Sequence, residues 1–301
     1  MTNNLVSAAP RQLGGINRVG ALGFGCWRLT GASDAENERL VSTAVDLGMT
    51  LIDNADVYGL DWGGSGFGAC EEALGRVLAI NPSLRGRITL ASKGGIIPGT
   101  PYDSSATYIV AACEASLRRM GVERVELWQI HRPDHFTHPA EIAEAFSSLH
   151  KRGLVGAFGV SNFTPAQTLA LSTHVELPLV STQPEFSCVA LGAMRDGTLD
   201  LCMETGMVPL AWSPLAGGRI VTGEGVRPEL TAVLDDLASR EGASRAVIAV
   251  AFVLAPPSRP VALLGTQQFS RLADLATATT VALDRADVYR IVQASDGVPL
   301  P

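Results

Sequence analysis

Eight short apolar segments alternate with amphipathic segments along this chain, and that alternation constrains the fold more than any other feature. The apolar segments lie at residues 19–25, 50–53, 88–92, 125–130, 156–161, 179–183, 207–212 and 260–265. Strands that alternate with helices form parallel sheets, because each helix carries the chain back to start the next strand. Eight such units predict a single domain over residues 1–301, an α/β fold of the (β/α)8 TIM-barrel type. The barrel would cover about residues 19–295, with short extensions at both termini.

An open, doubly wound sheet is the main alternative fold. It would place the pattern G-x-G-x-x-G directly after its first strand, with an acidic residue about 20 positions later. The segment "LGFGCWRLTG" at 22–31 does not have that spacing, and the glycine-rich segment 63–68 follows a loop. We therefore interpret residues 63–68 as a mobile wall of a substrate pocket and not as a phosphate-binding loop.

Composition restricts the function. The formal net charge is −7 and the pI is about 5.3, which argues against a nucleic-acid-binding protein. The longest apolar run, which starts at Val247, is too short to cross a membrane and ends in two prolines. The five cysteines lack a C-x-x-C pair and fit a reducing compartment. We expect a cytoplasmic protein with a small-molecule substrate and neither nucleic acid nor membrane as a partner.

Polar side chains follow three consecutive predicted strands. Asp53 ends the second strand, with Tyr58 five residues later, while Lys93 ends the third strand and His131 the fourth. The carboxyl ends of the strands meet at one rim of such a barrel, so these side chains should lie close together. Only two of the 23 lysine and arginine residues are lysines, which suggests that Lys93 is needed for its chemistry. Asp56, between Asp53 and Tyr58, is interpreted as a solvated loop acid.

These four residue types suit the reduction of a carbonyl group. Free tyrosine titrates near pH 10, and a neighbouring ammonium group lowers that pKa by favouring the phenolate. Lys93 would supply the ammonium, Asp53 would hold it by charge pairing, and His131 would orient a carbonyl oxygen. Tyr58 would then donate a proton to that oxygen. The hydride must come from a separate group, which implies a nicotinamide cofactor.

The same residues belong to a longer set of motifs. From about Gly20 to the C-terminus the chain carries "LIDNADVYG", "ASKGG", "WQIHRPD", "GVSNFTPAQ", "STQPEFS", "AWSPLAGGRI" and "GTQQFSRLAD" in this order. With one motif in almost every barrel unit, the chain resembles the aldo-keto reductase superfamily. The "HRPD" and "AWSPLAGGR" variants resemble a bacterial branch of it.

The resemblance implies roles for individual residues. Asp53, Tyr58, Lys93 and His131 match the family's catalytic tetrad, with Tyr58 as the acid–base group. The positions that match its cofactor-binding residues are Ser161, Asn162 and Gln183 for the nicotinamide carboxamide, Trp212 for the nicotinamide ring, Ser213, Leu215 and Gly217 for the pyrophosphate, and Gly265, Thr266, Gln267 and Arg271 for the adenosine phosphate. Gly265 stands where many NADPH-dependent members have lysine. NADPH is therefore the expected cofactor, with NADH possible.

Other interpretations remain open. A cofactor-binding redox sensor with little turnover would share the fold, and Lys93 could instead form a Schiff base. The histidines of "HRPDHFTH" would suit a metal, but Pro133 prevents a regular helix and no carboxylate follows at a matching spacing, so we expect no metal. Trp27 and Trp62 follow strand ends and are predicted to form the walls of the substrate pocket.

Overall fold

The structure is a computed structural model that describes residues 4–61 and 63–300. Trp62, predicted to line the substrate pocket, lies outside the described residues. The strands are Arg11–Leu13 (β1), Asn17–Val19 (β2), Leu22–Gly25 (β3), Leu51–Asp53 (β4), Thr89–Gly94 (β5), Val125–Ile130 (β6), Val155–Ser161 (β7), Leu179–Gln183 (β8), Val208–Ala211 (β9) and Val261–Leu264 (β10).

Helices follow most of these strands. The α-helices are Asp34–Asp46 (α1), Ala69–Ile80 (α2), Ala106–Met120 (α3), Pro139–Lys151 (α4), Pro165–Ser172 (α5), Thr198–Thr205 (α6), Arg219–Thr222 (α7), Pro228–Glu241 (α8), Arg245–Leu254 (α9), Phe269–Ala276 (α10) and Arg285–Asp296 (α11). Short 3-10 helices lie at Pro82–Gly86, Gly192–Met194, Ala216–Gly218 and Thr277–Thr280.

The predicted barrel is confirmed. Strands β3 to β10 pair in parallel and in chain order, and β10 pairs with β3 to close the barrel. Each of the eight predicted apolar segments overlaps one of these strands, although β5 extends past its segment to Gly94 and β7 begins one residue earlier, at Val155. The first begins at Leu22 and not at 19, because Val19 belongs to a separate hairpin.

That hairpin, β1 paired antiparallel with β2, covers one end of the barrel. Leu13 and Val19 are buried in one cluster with barrel residues such as Leu51 and Val261. Gly14 begins its turn with φ +51°, a conformation that glycine adopts without strain. The first twenty residues were predicted as an extension outside the barrel. Instead, part of this segment closes the barrel's interior.

The helices near the C-terminus show two features that the alternating pattern does not give. The amphipathic stretch 230–255 is two helices, because Gly242 ends α8 with φ +63° and Ser244 then caps α9. Helices α10 and α11 follow the last strand and were not predicted. The predicted C-terminal limit, about residue 295, lies one residue from the end of α11 at Asp296.

Candidate active site

A cavity of about 1200 Å³ opens at the carboxyl ends of the barrel strands. Among its lining residues are three of the four predicted catalytic side chains, Asp53, Tyr58 and His131, as well as Trp27. It is also lined by every predicted cofactor-binding residue: Ser161, Asn162, Gln183, Trp212, Ser213, Leu215, Gly217, Gly265, Thr266, Gln267 and Arg271. The fourth predicted catalytic residue, Lys93, is fully buried on β5. It does not line the cavity but contacts Asp53, which does.

Asp53 and Lys93 form a buried ion pair. Lys93 Nζ lies 2.6 Å from Asp53 Oδ2 and also donates to the Asn54 carbonyl oxygen at 2.8 Å. The other oxygen of Asp53 accepts a hydrogen bond from Gln183 Nε2 at 3.0 Å. A buried carboxylate is costly unless it is paired and hydrogen-bonded, and here both conditions hold. Burial alone would lower the pKa of Lys93, but Asp53 and then Tyr58 raise it above its ordinary value, so Lys93 is charged.

Tyr58 lies between this ammonium group and His131. Lys93 Nζ is 4.8 Å from the centroid of the Tyr58 ring, and the His131 ring is 5.8 Å away in an edge-on arrangement. Burial raises the pKa of Tyr58, Lys93 lowers it and Asp53 raises it again, with a net increase. Lys93 acts in the expected direction, but burial outweighs the ammonium, so the pKa of Tyr58 is raised overall. Tyr58 therefore carries its proton at neutral pH, as a proton donor must.

His131 is held as a neutral imidazole. Burial, followed by the charges of Lys93 and Arg132, places its pKa well below the ordinary value. Its Nδ1 atom is buried and has no hydrogen-bond partner among the residues that the structure describes. A neutral imidazole has one N–H donor, which is what the orientation of a carbonyl oxygen requires.

A hydrogen-bonded group of side chains extends from His131 across β7, β8 and β9. Trp212 Nε1 donates to Asn162 Oδ1 at 3.0 Å, and Asn162 Nδ2 donates to Ser161 Oγ at 2.8 Å and to the His131 carbonyl oxygen at 3.2 Å. Ser161 Oγ donates to the Gln183 carbonyl oxygen. Amide and hydroxyl groups beside an indole ring fit a nicotinamide, which presents one carboxamide and one flat ring.

The loop after β9 has an unusual backbone. Ser213 and Ala216 have φ +51°, and Gly217 and Gly218 have φ +70° and +105°. Left-handed backbone at non-glycine residues is costly and collects at functional sites. Such runs can form concave groups of N–H donors that bind anions. The loop therefore fits the pyrophosphate of a dinucleotide.

The far end of the cavity carries several arginines, and they differ in their partners. Arg245 makes a bidentate ion pair with Asp235 and is thereby neutralised. Arg271 makes no hydrogen bond or ion pair with residues 4–61 or 63–300, and its side chain is exposed beside Thr266 and Gln267. Arg271 is thus a guanidinium that could pair with an anionic group of a bound cofactor.

Sequence reasoning missed several lining residues. Arg132 has its guanidinium carbon 5.8 Å from the Trp212 ring, beside the predicted nicotinamide position. Asp61 accepts a hydrogen bond from Trp27 Nε1 at 3.1 Å, which links the loops after β3 and β4. The signal for Arg132 was its place directly after His131 in "IHRPD", since both follow the same strand.

Two expectations about the loop after β4 are wrong. Residues 63–68 do not line the cavity; the lining comes from Leu60 and Asp61, while Phe67 packs under the Arg119 guanidinium at 5.6 Å. Asp56 is not solvated but has 0% exposure. It is also not among the residues that line the cavity, although Val57 and Tyr58 are.

The histidines of "HRPDHFTH" do not converge. His138 caps α4 by accepting a hydrogen bond from the Ala140 amide, and its ring packs against His174. Within the described ranges there is no group of three or more His, Cys, Asp or Glu side chains that could hold a metal ion. Within the same ranges, no helix has the length and apolar character needed to cross a membrane.

Comparison with known proteins extends these observations. A model of the Aldo/keto reductase family matches residues 21–296. The chain is 43% identical to a 6-dehydroglucose reductase of Novosphingobium aromaticivorans, over 97% of each chain. It is 32% identical to a 6-dehydroglucose reductase of Agrobacterium fabrum, over 91% of this chain and 93% of the relative. A solved glycerol dehydrogenase of Gluconobacter oxydans superposes with a TM-score of 0.83 at 25% identity, over 98% of both chains.

Proposed function

This chain belongs to the aldo/keto reductase family, and on that premise we propose which of its residues reduce the substrate, which cofactor they prefer and what kind of carbonyl they accept. The protein is an oxidoreductase that reduces carbonyl compounds with a nicotinamide cofactor. One observation carries the proposed residue roles: Tyr58 lies at the cavity beside both the buried Asp53–Lys93 pair and neutral His131.

The reaction adds a hydride to the carbonyl carbon and a proton to the carbonyl oxygen. The nicotinamide, when bound, supplies the hydride. His131 donates a hydrogen bond that orients the carbonyl oxygen, and Tyr58 donates its hydroxyl proton to that oxygen. Tyr58 is left as a phenolate, which the ammonium of Lys93 stabilises. Asp53 keeps Lys93 charged and fixed in place, and a proton from solvent then restores Tyr58.

We propose that NADPH is preferred over NADH. The two cofactors differ by one phosphate on the adenosine ribose, and a guanidinium is a strong partner for a phosphate. Arg271 is free to bind it, and Thr266 and Gln267 line the same end of the cavity. Gly265 offers no second positive charge, so Arg271 carries most of the discrimination.

Replacing Arg271 with alanine should weaken NADPH binding by roughly 10- to 100-fold, because a charge-assisted hydrogen bond to the phosphate is lost. NADH binding should change by less than about threefold, since NADH lacks that phosphate. Quenching of Trp212 fluorescence measures both dissociation constants. Arg290→Ala, at an exposed ion pair on α11, is a matched control. An equal loss for both cofactors would contradict the assignment.

We further propose that the substrate is a hydroxylated aldehyde of the sugar type. Two relatives are 6-dehydroglucose reductases. The cavity is lined by Arg132, next to the Trp212 ring, by Asp61, next to Trp27, and by the apolar Ile96 and Leu60. A guanidinium with five N–H donors suits neighbouring hydroxyl groups. A screen of sugar aldehydes and aromatic aldehydes, with NADPH and NADH in parallel, tests both the activity and this preference.

The variant Arg132→Leu should raise KM for a hydroxylated aldehyde by about tenfold, the cost of one to two hydrogen bonds to a charged group. KM for 4-nitrobenzaldehyde should stay within about threefold, because it has no hydroxyl group to lose. Steady-state kinetics with both substrates checks the difference. An equal rise in KM for both would show that Arg132 shapes the pocket and does not recognise hydroxyl groups.

We propose the cytoplasm as the compartment. All five cysteines, Cys26, Cys70, Cys113, Cys188 and Cys202, are free and buried. Free thiols persist where the surroundings are reducing, and NADPH is available in the same compartment.

A further inference from the structure

Asp56 is a buried acid that the proposed reaction does not use. It lies between Asp53 and Tyr58 and is 0% exposed, and neither of its carboxyl oxygens has a hydrogen-bond partner among the described residues. Its backbone N–H donates to the Lys93 carbonyl oxygen at 2.9 Å. Asp56 is therefore hydrogen-bonded through its backbone to Lys93, the residue whose side chain faces Tyr58.

The space around the Asp56 carboxyl group is closely fitted. A Cβ atom at Gly94 would lie 3.0 Å from Asp56 Oδ2 and 2.8 Å from Trp128 Cζ2. Glycine at this position is what leaves room for the acid. Such a pocket, walled by β6 and by Ala112 of α3, separates the carboxyl group from bulk solvent, where an ionised carboxylate is costly.

A second buried acid, Glu71 of α2, lies next to Asp56 and has its own partners. Arg119 Nε of α3 donates to Glu71 Oε2 at 2.7 Å, and Ser92 Oγ of β5 donates to Glu71 Oε1. Glu71 is 0% exposed, so its charge requires this pairing. Two buried acids, Asp56 and Glu71, thus lie near a single arginine, Arg119, and Arg119 is paired with Glu71.

The charges that face Asp56 come from three elements. Burial raises its pKa well above the ordinary value, and Glu71 of α2 raises it further, while Arg119 of α3 and Lys93 of β5 oppose this. Tyr108 of α3 also lies close, since Asp56 contributes to raising the pKa of Tyr108 to about 12 after burial itself. Two cations act on Asp56, and both have other partners. Lys93 is paired with Asp53, and Arg119 is paired with Glu71.

We propose that Asp56 is a positioning residue of the reaction, which its burial and the neighbouring Glu71, by keeping Arg119 paired, hold as a neutral carboxylic acid so that no negative charge lies behind Lys93 and Tyr58. This inference rests on the proposed role of Tyr58 as proton donor. A carboxylate at Asp56 would offset the field of the Lys93 ammonium and disfavour the Tyr58 phenolate, and proton donation would slow.

Glu71→Gln tests the proposal, because it leaves Arg119 without an anion. Asp56 would then ionise to pair with Arg119, and the negative charge would move next to Lys93. We expect kcat near pH 7 to fall roughly five- to tenfold. The double variant Glu71→Gln/Asp56→Asn, in which residue 56 cannot ionise, should regain at least half of that loss, with Asp56→Asn measured alongside as its reference. Glu72→Gln, an exposed neighbour on α2, controls for the change in charge and should keep wild-type kcat.

Two kinetic results would overturn the proposal: no loss in Glu71→Gln, or a loss that Asp56→Asn does not recover. The second would mean that Glu71 only holds α2 and α3 together. If Glu71→Gln does not fold, the infrared difference spectrum between wild type and Asp56→Asn decides. A carbonyl band of a protonated carboxylic acid in the wild type supports the proposal, and its absence overturns it. This spectrum needs no turnover, so its outcome is separate from that of the Tyr58 mechanism, which fails if Tyr58→Phe stays active.

Discussion

Replacing Tyr58 with phenylalanine should lower kcat for carbonyl reduction by about 100- to 10,000-fold, the usual contribution of a positioned general acid. The change removes one hydroxyl group and keeps the ring that packs against His131 and Lys93. Hydride transfer without protonation would leave an alkoxide in a buried site, which is why the effect should be large. The rate is measured with NADPH and a reactive aldehyde such as 4-nitrobenzaldehyde.

NADPH binding by Tyr58→Phe should be unchanged within about threefold, because the proposed cofactor contacts come from other strands. Tyr289→Phe, on exposed α11, is a matched control that removes the same hydroxyl group far from the cavity. If Tyr58→Phe kept near-wild-type turnover while binding NADPH, the proposed proton donor would be wrong.

Replacing Asp53 with asparagine should destabilise the fold by about 3–5 kcal/mol, the usual cost of leaving one member of a buried ion pair without its partner. Lys93 is 0% exposed and would keep only neutral acceptors, such as the Asn54 carbonyl oxygen, with no anion to balance its charge. Activity should also fall sharply, since an unpaired buried ammonium loses its proton more easily. Urea unfolding, with m-values compared to the wild type, measures the change in free energy.

The double variant Asp53→Asn/Lys93→Met should recover much of that stability, because no buried charge is then left unpaired. The pH dependence has a defined sign. The raised pKa of Lys93 means that its stabilising contribution is fully present below the pKa of the unfolded chain and is lost as pH rises through the folded pKa. The wild type should therefore keep this contribution at neutral pH and lose it at strongly alkaline pH. A loss below about 1 kcal/mol at neutral pH would contradict a structural ion pair.

The barrel and the composition of its rim could be predicted because both depend on local patterns. Strands such as Val125–Ile130 are apolar and bounded by polar residues, and each ends at the same rim, so Asp53, Lys93 and His131 had to converge. The scarcity of lysine drew attention to Lys93 for a chemical reason. Family motifs then gave the residues proposed to bind the cofactor, all of which line one cavity.

What could not be predicted depends on burial, which a linear pattern does not reveal. Asp56 reads as a loop acid beside other polar residues, yet the turn after β4 directs it into the barrel wall behind Gly94. The net direction of the Tyr58 pKa depends on how far burial exceeds the attraction of Lys93. The hairpin β1–β2 consists of three-residue strands, which are too short to show a period. Its position at the end of the barrel depends on contacts with residues far away in the sequence, such as Val261.

The most direct test of the central claim is the stoichiometry of a single reaction. Wild-type protein is mixed with NADPH and a sugar aldehyde, NADPH oxidation is followed by its absorbance, and the alcohol formed is quantified in the same sample. The account predicts sustained turnover with one alcohol formed for each NADPH consumed. Tight NADPH binding with no alcohol formed from any aldehyde in the panel would contradict it and would favour a cofactor-binding sensor.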